Sequence, residues 1–143
     1  MRHRINRLKF KQGHDSNKRL LKKLLINFIK YGHIETTHKR GQVLKSRLDS
    51  LVGKAIRNRK SDNNILLKTV GNRKVVDHLI FQISKFNKDR IGGYVSLKKV
   101  GYRFGDSALI SRLSWVDSIP AMITPKPKKV KEKTEDKTDN KKI

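Results

Sequence analysis

The stretch "RLLKKLLINFIKYGHIETT" (residues 19–37) contains the pattern that decides the fold. Its apolar residues recur at the spacing of one face of an α-helix. They are Leu20, Leu21, Leu24, Leu25, Phe28 and Ile29. Asp15 or Ser16 is predicted as the N-cap, and Gly32 can end the helix in a left-handed conformation. Residues 33–37 then suit a short extended strand, so the sequence predicts a helix followed directly by a strand.

Further helical patterns follow along the chain, and after them the pattern changes to that of strands. A second amphipathic helix is predicted over residues 39–57, a short one over 65–70 after a turn at 61–64, and another over 72–85. Beyond them, residues 94–100 and 108–116 are rich in β-formers and enclose a glycine-bounded loop. We therefore predict an α/β domain of two layers, with about three to four helices packed on a small mixed sheet.

The predicted domain lies between two segments of different composition. Residues 1–14 form a basic arm, residues 15–117 the α/β domain, and residues 118–143 a Lys-rich tail. The tail contains proline and charged residues with almost nothing to bury, which is typical of disorder. The arm has five Lys and Arg within its first 11 residues and no acidic residue. We expect it to be disordered alone and to become ordered on RNA, where phosphates neutralise its charge.

The charge of the chain indicates the kind of partner. Lys and Arg number 36 against 12 Asp and Glu, which gives a net charge of +24 over 143 residues. Residues 1–60 hold 18 of those bases and three of the acids, so the basic surface should lie mainly in the N-terminal half. Such a charge attracts polyanions, which could be nucleic acid, an anionic membrane face or an acidic protein. Nucleic acid is the partner that best fits a basic arm leading into basic helices.

Several classes of function are excluded by what the sequence lacks. It has no cysteine, so disulfides, thiolate metal sites and cysteine nucleophiles cannot occur. Its histidines are scattered without a carboxylate cluster, and no P-loop, dinucleotide fingerprint or serine elbow is present. No apolar run is long enough to span a membrane, and the start is unlike a signal peptide. We predict a cytoplasmic protein that begins at residue 1 or 2 and is not an enzyme, with no catalytic residue, metal, cofactor, small-molecule substrate or membrane partner.

The candidate site is therefore a set of RNA-binding residues on the arm, the first two helices and the strands. For the loop "GYRFGD" (101–106) the alternative is plain turn chemistry, with Asp106 bonded to local backbone N–H groups. For the helices the alternative is ordinary solvation of basic side chains. The residues predicted to bind RNA are Arg2, His3, Arg4, Arg7, Lys9, Lys11, Lys18, Arg19, Lys22, Lys23, Lys39, Arg40, Arg90, Lys99, Tyr102 and Arg103.

Several short motifs occur in a specific order. They are "MRHR" at the start, "I-x-T-T" at 34–37, "R-x-G-G-Y" at 90–94 and "G-Y-R-x-G-D" at 101–106. With Lys99 and the closing Trp115-Val116, they resemble the L-seventeen family of bacterial large-subunit ribosomal proteins over residues 1–117. The chain departs from that family's usual pattern at three places, which are Ser16-Asn17, Ser96 and Leu109.

The resemblance implies a specific role. It implies a structural constituent of the large ribosomal subunit that binds large-subunit rRNA near the peptide exit tunnel, beside neighbouring large-subunit ribosomal proteins, in the cytoplasmic ribosome. The alternative is a free-standing basic nucleic-acid-binding module of the nucleoid or RNA-chaperone type, which would more often confine its charge to one face. An RNA-modifying enzyme should show a cofactor loop or catalytic carboxylates, and neither is visible.

Overall fold

The computed structural model of the chain describes residues 13–123. Its first helices and strand are α1 (His14–Tyr31), β1 (His33–Thr37), α2 (His38–Arg57) and α3 (Lys60–Val70). A fourth helical stretch consists of α4 (Arg73–His78), a π-helical turn (Leu79–Ile83) and a last turn, α5 (Ser84–Phe86). Strands β2 (Val95–Tyr102) and β3 (Leu109–Trp115) complete the described part. The predicted helices packed on a small sheet are thereby confirmed, whereas residues 1–12 and 124–143 lie outside the described part.

The sheet of the described residues has three strands in the order β1-β3-β2. Both pairs are antiparallel, with Leu113 of β3 opposite Ile34 of β1 on one side and Leu97 of β2 on the other. The prediction of a mixed sheet was therefore wrong. A short hairpin forces β2 and β3 to be antiparallel, and β1 runs opposite to β3 on its other edge.

Helix α2 is the centre of the domain, because it contacts all three strands, α1, α3, the π-helical turn and α5. It approaches the sheet closely at Gly41, where a Cβ would lie 2.9 Å from Leu97 Cδ1 and 3.2 Å from Leu113 Cδ1. On the other side, α1 contributes Phe28, whose ring centroid is 4.6 Å from that of Trp115 at an interplanar angle of 55°. The core is thus one continuous cluster between the helices and one face of the sheet.

The ends of α1 show one prediction confirmed and one corrected. Gly32 has φ of +75° and its N–H donates to Phe28 O at 2.8 Å, as predicted for a left-handed C-cap. The N-cap is Gly13, however, and neither Asp15 nor Ser16. Asp15 lies in the first turn instead, where its negative charge is favourable beside the positive end of the helix dipole.

Helix α3 is longer than predicted, since the expected turn at residues 61–64 is its first helical turn. Asp62 in that turn is buried and accepts a hydrogen bond from Arg57 Nε of α2 at 3.3 Å. The carboxylate therefore joins two successive helices.

Residues 118–123, the described part of the predicted tail, return along the domain. Ile119 packs against the core, and the Ile123 N–H donates to Lys30 O of α1 at 2.9 Å. The domain boundaries at 14 and 117 remain predictions.

Candidate nucleic-acid interface

The predicted basic face of α1 is exposed. Its apolar stripe is turned to the core, with Leu21, Leu25, Phe28 and Ile29 buried and Leu20 and Leu24 half-buried. The basic side chains of this helix are exposed; they are Lys18, Arg19, Lys22 and Lys23. A helix with this arrangement can present several cations to a phosphate backbone.

The end of the Lys22 side chain lies against the C-terminal end of α3. Its Cε is 3.1 Å from the position that a Cβ of Gly71 would take, and Gly71 is the C-cap of α3. The negative end of the α3 dipole attracts a cation there. Lys22 therefore stabilises the packing of α1 on α3 as well as contributing charge.

The start of α2 and the β2–β3 hairpin lie at the same end of the sheet. Thr37, the last residue of β1, is opposite Ile110, and Ile110 is opposite Gly101 near the end of β2. We call this the hairpin end. It brings together five of the predicted residues, which are Lys39, Arg40, Lys99, Tyr102 and Arg103. His38 fixes the start of α2 there, because its Nδ1 shares a hydrogen bond of 2.7 Å with Ser111 Oγ of β3.

Aromatic side chains at the hairpin end have little protein around them. Tyr102 is 76% exposed and Phe104 is 103% exposed. An exposed ring beside basic side chains is a surface on which a base can stack. Phe104 was not among the predicted RNA-binding residues. Its position between two glycines of a short loop nevertheless indicates that its ring lies outside the core.

The loop at this end is closed by an ion pair between Arg103 and Asp106. Arg103 donates to both carboxylate oxygens, with Nε 3.0 Å from Oδ1, and the Ala108 N–H donates to Oδ1 at 3.2 Å. The hydrogen bond from Arg103 is the main cause that lowers the pKa of Asp106 to about 2, and the pair raises the pKa of Arg103. The turn chemistry predicted for Asp106 is therefore present, and Arg103 shares its charge with a carboxylate.

Arg90 lies at the other end of the sheet, so the structure separates it from the residues of the hairpin end. Its Nη2 is 2.9 Å from Asp117 Oδ1 and its Nε is 3.2 Å from Asp117 Oδ2. The Tyr94 hydroxyl donates to the carbonyls of Arg90 and Ile91, each at 3.2 Å. This Arg90–Asp117 pair joins the segment before β2 to the segment after β3, which is a structural role.

Two further cations on the outer face of the sheet were missed by sequence reasoning. Lys98 of β2 lies directly opposite Arg112 of β3, and both are exposed. Like charges opposite each other on a sheet repel, and Glu35 of β1, directly opposite Arg112 on its other side, offsets part of that repulsion. The alternation of strand residues, which turns Leu97 and Leu113 inward, was the available signal.

Most of the positive charge of residues 13–123 is uncompensated. These residues include 23 Lys and Arg, of which Arg57, Arg90 and Arg103 form ion pairs with Asp. In the same residues no cluster of three or more His, Asp or Glu could hold a metal ion. None of the helices described is long and apolar enough to cross a membrane.

A small α/β domain that carries this much unpaired positive charge on exposed helices and strands belongs to the class suited to polyanions. Comparison with known sequences identifies the family within that class. The profile of the family described as Ribosomal protein L17 matches residues 20–116, from within α1 to just past β3. The chain therefore belongs to the ribosomal protein L17 family, as its motifs predicted.

Similarity to individual members of the family extends over most of the chain. The chain is 34% identical over 139 residues to large ribosomal subunit protein bL17 of Thermodesulfovibrio yellowstonii, a match covering 97% of this chain and 100% of that protein. With the protein of the same name from Thermotoga maritima, identity is 32% over 126 residues, covering 82% of this chain and 96% of the relative. The Rickettsia bellii protein is 30% identical over 117 residues, covering 82% of each.

Proposed function

We propose that this chain is a structural constituent of the large ribosomal subunit that acts by binding large-subunit rRNA in the cytoplasmic ribosome. The observation that carries the proposal is the unpaired charge, since 20 of the 23 Lys and Arg in residues 13–123 form no ion pair within the described part. These cations are spread over all the helical stretches and strands β2 and β3 of the described part. A protein surrounded by folded RNA needs contacts on several faces, whereas a protein that lies on one duplex needs them on one.

The proposed contacts divide by chemistry. Lys18, Arg19 and Lys23 of α1, with Lys39 and Arg40 at the hairpin end, bind phosphates and fix the position of the domain. Tyr102 and Phe104 stack on unpaired bases. The arm residues predicted from the sequence would add phosphate contacts. The role is one of holding RNA in place, without catalysis.

Family resemblance supports a position near the peptide exit tunnel, next to other large-subunit proteins. The name of the relatives, large ribosomal subunit protein bL17, supports the assignment to the large subunit. We propose both the large subunit and the position near the exit tunnel for this chain.

Sedimentation tests the assignment to the subunit. In a lysate of the source organism fractionated at low magnesium, the chain should co-migrate with large subunits at one copy each. Recovery with small subunits, with chromosomal DNA or at the top of the gradient would contradict the proposal. A crosslinker attached at Phe104 then tests the position, because it should react with rRNA nucleotides near the tunnel exit and leave the remote nucleotides unmodified.

A further inference from the structure

A cavity of about 450 Å³ opens at the surface between the fourth helical stretch and the segment that follows β3. This volume is within the range of roughly 300–1,000 Å³ that small-molecule sites occupy. The cavity is outside the basic surfaces described above. The residues lining it are Lys74, Asp77, His78, Phe81, Gln82, Ala121 and Met122.

The π-helical turn forms one wall of this cavity. Leu79 and Ile83, which begin and end the turn, are both fully buried, while Phe81 between them is 62% exposed. Two hydrogen bonds from the residues that follow stabilise the π-helical turn. Ser84 Oγ donates to Ile80 O, and Asn87 Nδ2 donates to Ile83 O at 2.7 Å. Turns of this kind are frequent at functional sites. Here it places an aromatic ring at the mouth of the cavity.

The lining of the cavity includes polar side chains. His78 is only 8% exposed, and its Nε2 is buried with no hydrogen-bond partner among the described residues, so this atom does not itself face the open cavity. Asp77 and Gln82 line the cavity beside it. A polar side chain loses its hydrogen bonds to water when it is covered, so an occupant that hydrogen-bonds to Asp77 and Gln82 is favoured over an apolar one.

The geometry points to this cavity as a site for one unpaired nucleobase of the rRNA, turned out of its own helix; this inference rests on the proposed function. The base would stack on Phe81 and direct a hydrogen-bonding edge to Gln82. Lys74 at the rim would meet the phosphate, and Asp77 would accept from an exocyclic amino group while keeping phosphate out of the interior. An apolar side chain from a neighbouring protein would fill the space but cover Asp77 and Gln82 without offering them a hydrogen bond.

Chemical footprinting of the full chain on protein-free large-subunit rRNA tests the site. Dimethyl sulfate and 2′-hydroxyl acylation should show one unpaired nucleotide that the wild-type chain protects. Phe81→Ala should restore reactivity at that nucleotide, leave the other protections in place, and weaken binding roughly 5- to 100-fold through lost stacking. Because Phe81 bears no charge, the dependence of affinity on salt should not change. Phe81→Trp should keep the protection.

Phe86→Ala is the matched control, since Phe86 is 54% exposed on the same helical stretch but does not line the cavity. It should behave as the wild-type chain, and thermal melting verifies that both variants fold. Equal protections for Phe81→Ala and wild type on naked rRNA would overturn the site, and so would an effect that appears only when other ribosomal proteins are added, because the occupant would then be a protein. A wild-type chain that fails to bind rRNA at all would instead contradict the proposed function.

Discussion

At residue 41 the absence of a side chain decides how closely α2 can approach the sheet. A Cβ there would lie 2.9 Å from Leu97 Cδ1, and the facing core is fully packed. We therefore expect Gly41→Val to lower the free energy of unfolding by about 1–3 kcal/mol through overpacking. Gly53 of the same helix has nothing within 4 Å of its Cβ position. Gly53→Val should change stability by less than about 0.5 kcal/mol. Urea denaturation of both variants checks this, and equal losses would contradict it.

His78 should make stability depend on pH. Burial is the main cause that lowers its pKa below the ordinary 6.5, against a smaller opposing effect of Gln82. As pH falls below 6.5, the unfolded chain takes up a proton before the folded chain does, so the contribution present above pH 6.5 is lost progressively. Urea denaturation between pH 7.5 and 5 should show this decrease. The decrease should become smaller in His78→Gln and be kept in a variant of the exposed His33. An unchanged pH profile in His78→Gln would refute the assignment.

The hairpin loop, an element closed by one ion pair, gives two variants with opposite expected effects on RNA binding. If Arg103 meets a phosphate, Arg103→Ala should reduce the slope of log affinity against log salt by about one. Asp106→Asn leaves the guanidinium without its carboxylate, so it should strengthen binding and keep or steepen that slope. Filter binding to large-subunit rRNA at several KCl concentrations measures both. If both variants bind like the wild type, Arg103 serves the loop alone.

Elements with a strong local pattern were predictable from the sequence, and those that depend on distant partners were not. The stripe of α1 and the hairpin were found because apolar spacing and turn glycines are local signals. The first turn of α3 was missed because Asp is typical of turns. The pairing of Asp62 with Arg57, which favours the helix, is visible only in the folded structure. The same reason explains Arg90. Its pairing with Asp117 could not be predicted from its motif, because the two are 27 residues apart and only the folded chain brings them together. The RNA contact predicted for Arg90 stays a prediction.

On the scale of the whole molecule, the fold distributes charge without neutralising it. The apolar residues of the helices and of one sheet face form a single core. The cations therefore lie on the outer surfaces of the helices and on the other face of the sheet. Of the three Arg–Asp pairs in residues 13–123, two lie outside the hairpin loop. Arg57–Asp62 joins segments close in sequence, and Arg90–Asp117 lies at the sheet end opposite the hairpin. The remaining cations therefore repel one another in the isolated chain. The same cations are the ones proposed to attract rRNA.

Salt should consequently act in opposite directions on the folding and on the RNA binding of this molecule. With a net charge of +24, raising KCl from about 20 to 300 mM screens repulsion among many cations and weakens few ion pairs, so the melting temperature of the isolated chain should rise. Over the same range, affinity for large-subunit rRNA should fall by orders of magnitude, because each counterion released on binding gains less entropy when the bulk salt concentration is higher. Differential scanning calorimetry and filter binding measure the two. A melting temperature that falls with KCl would show that the few ion pairs outweigh the repulsion, and an affinity insensitive to KCl would contradict binding through phosphate contacts.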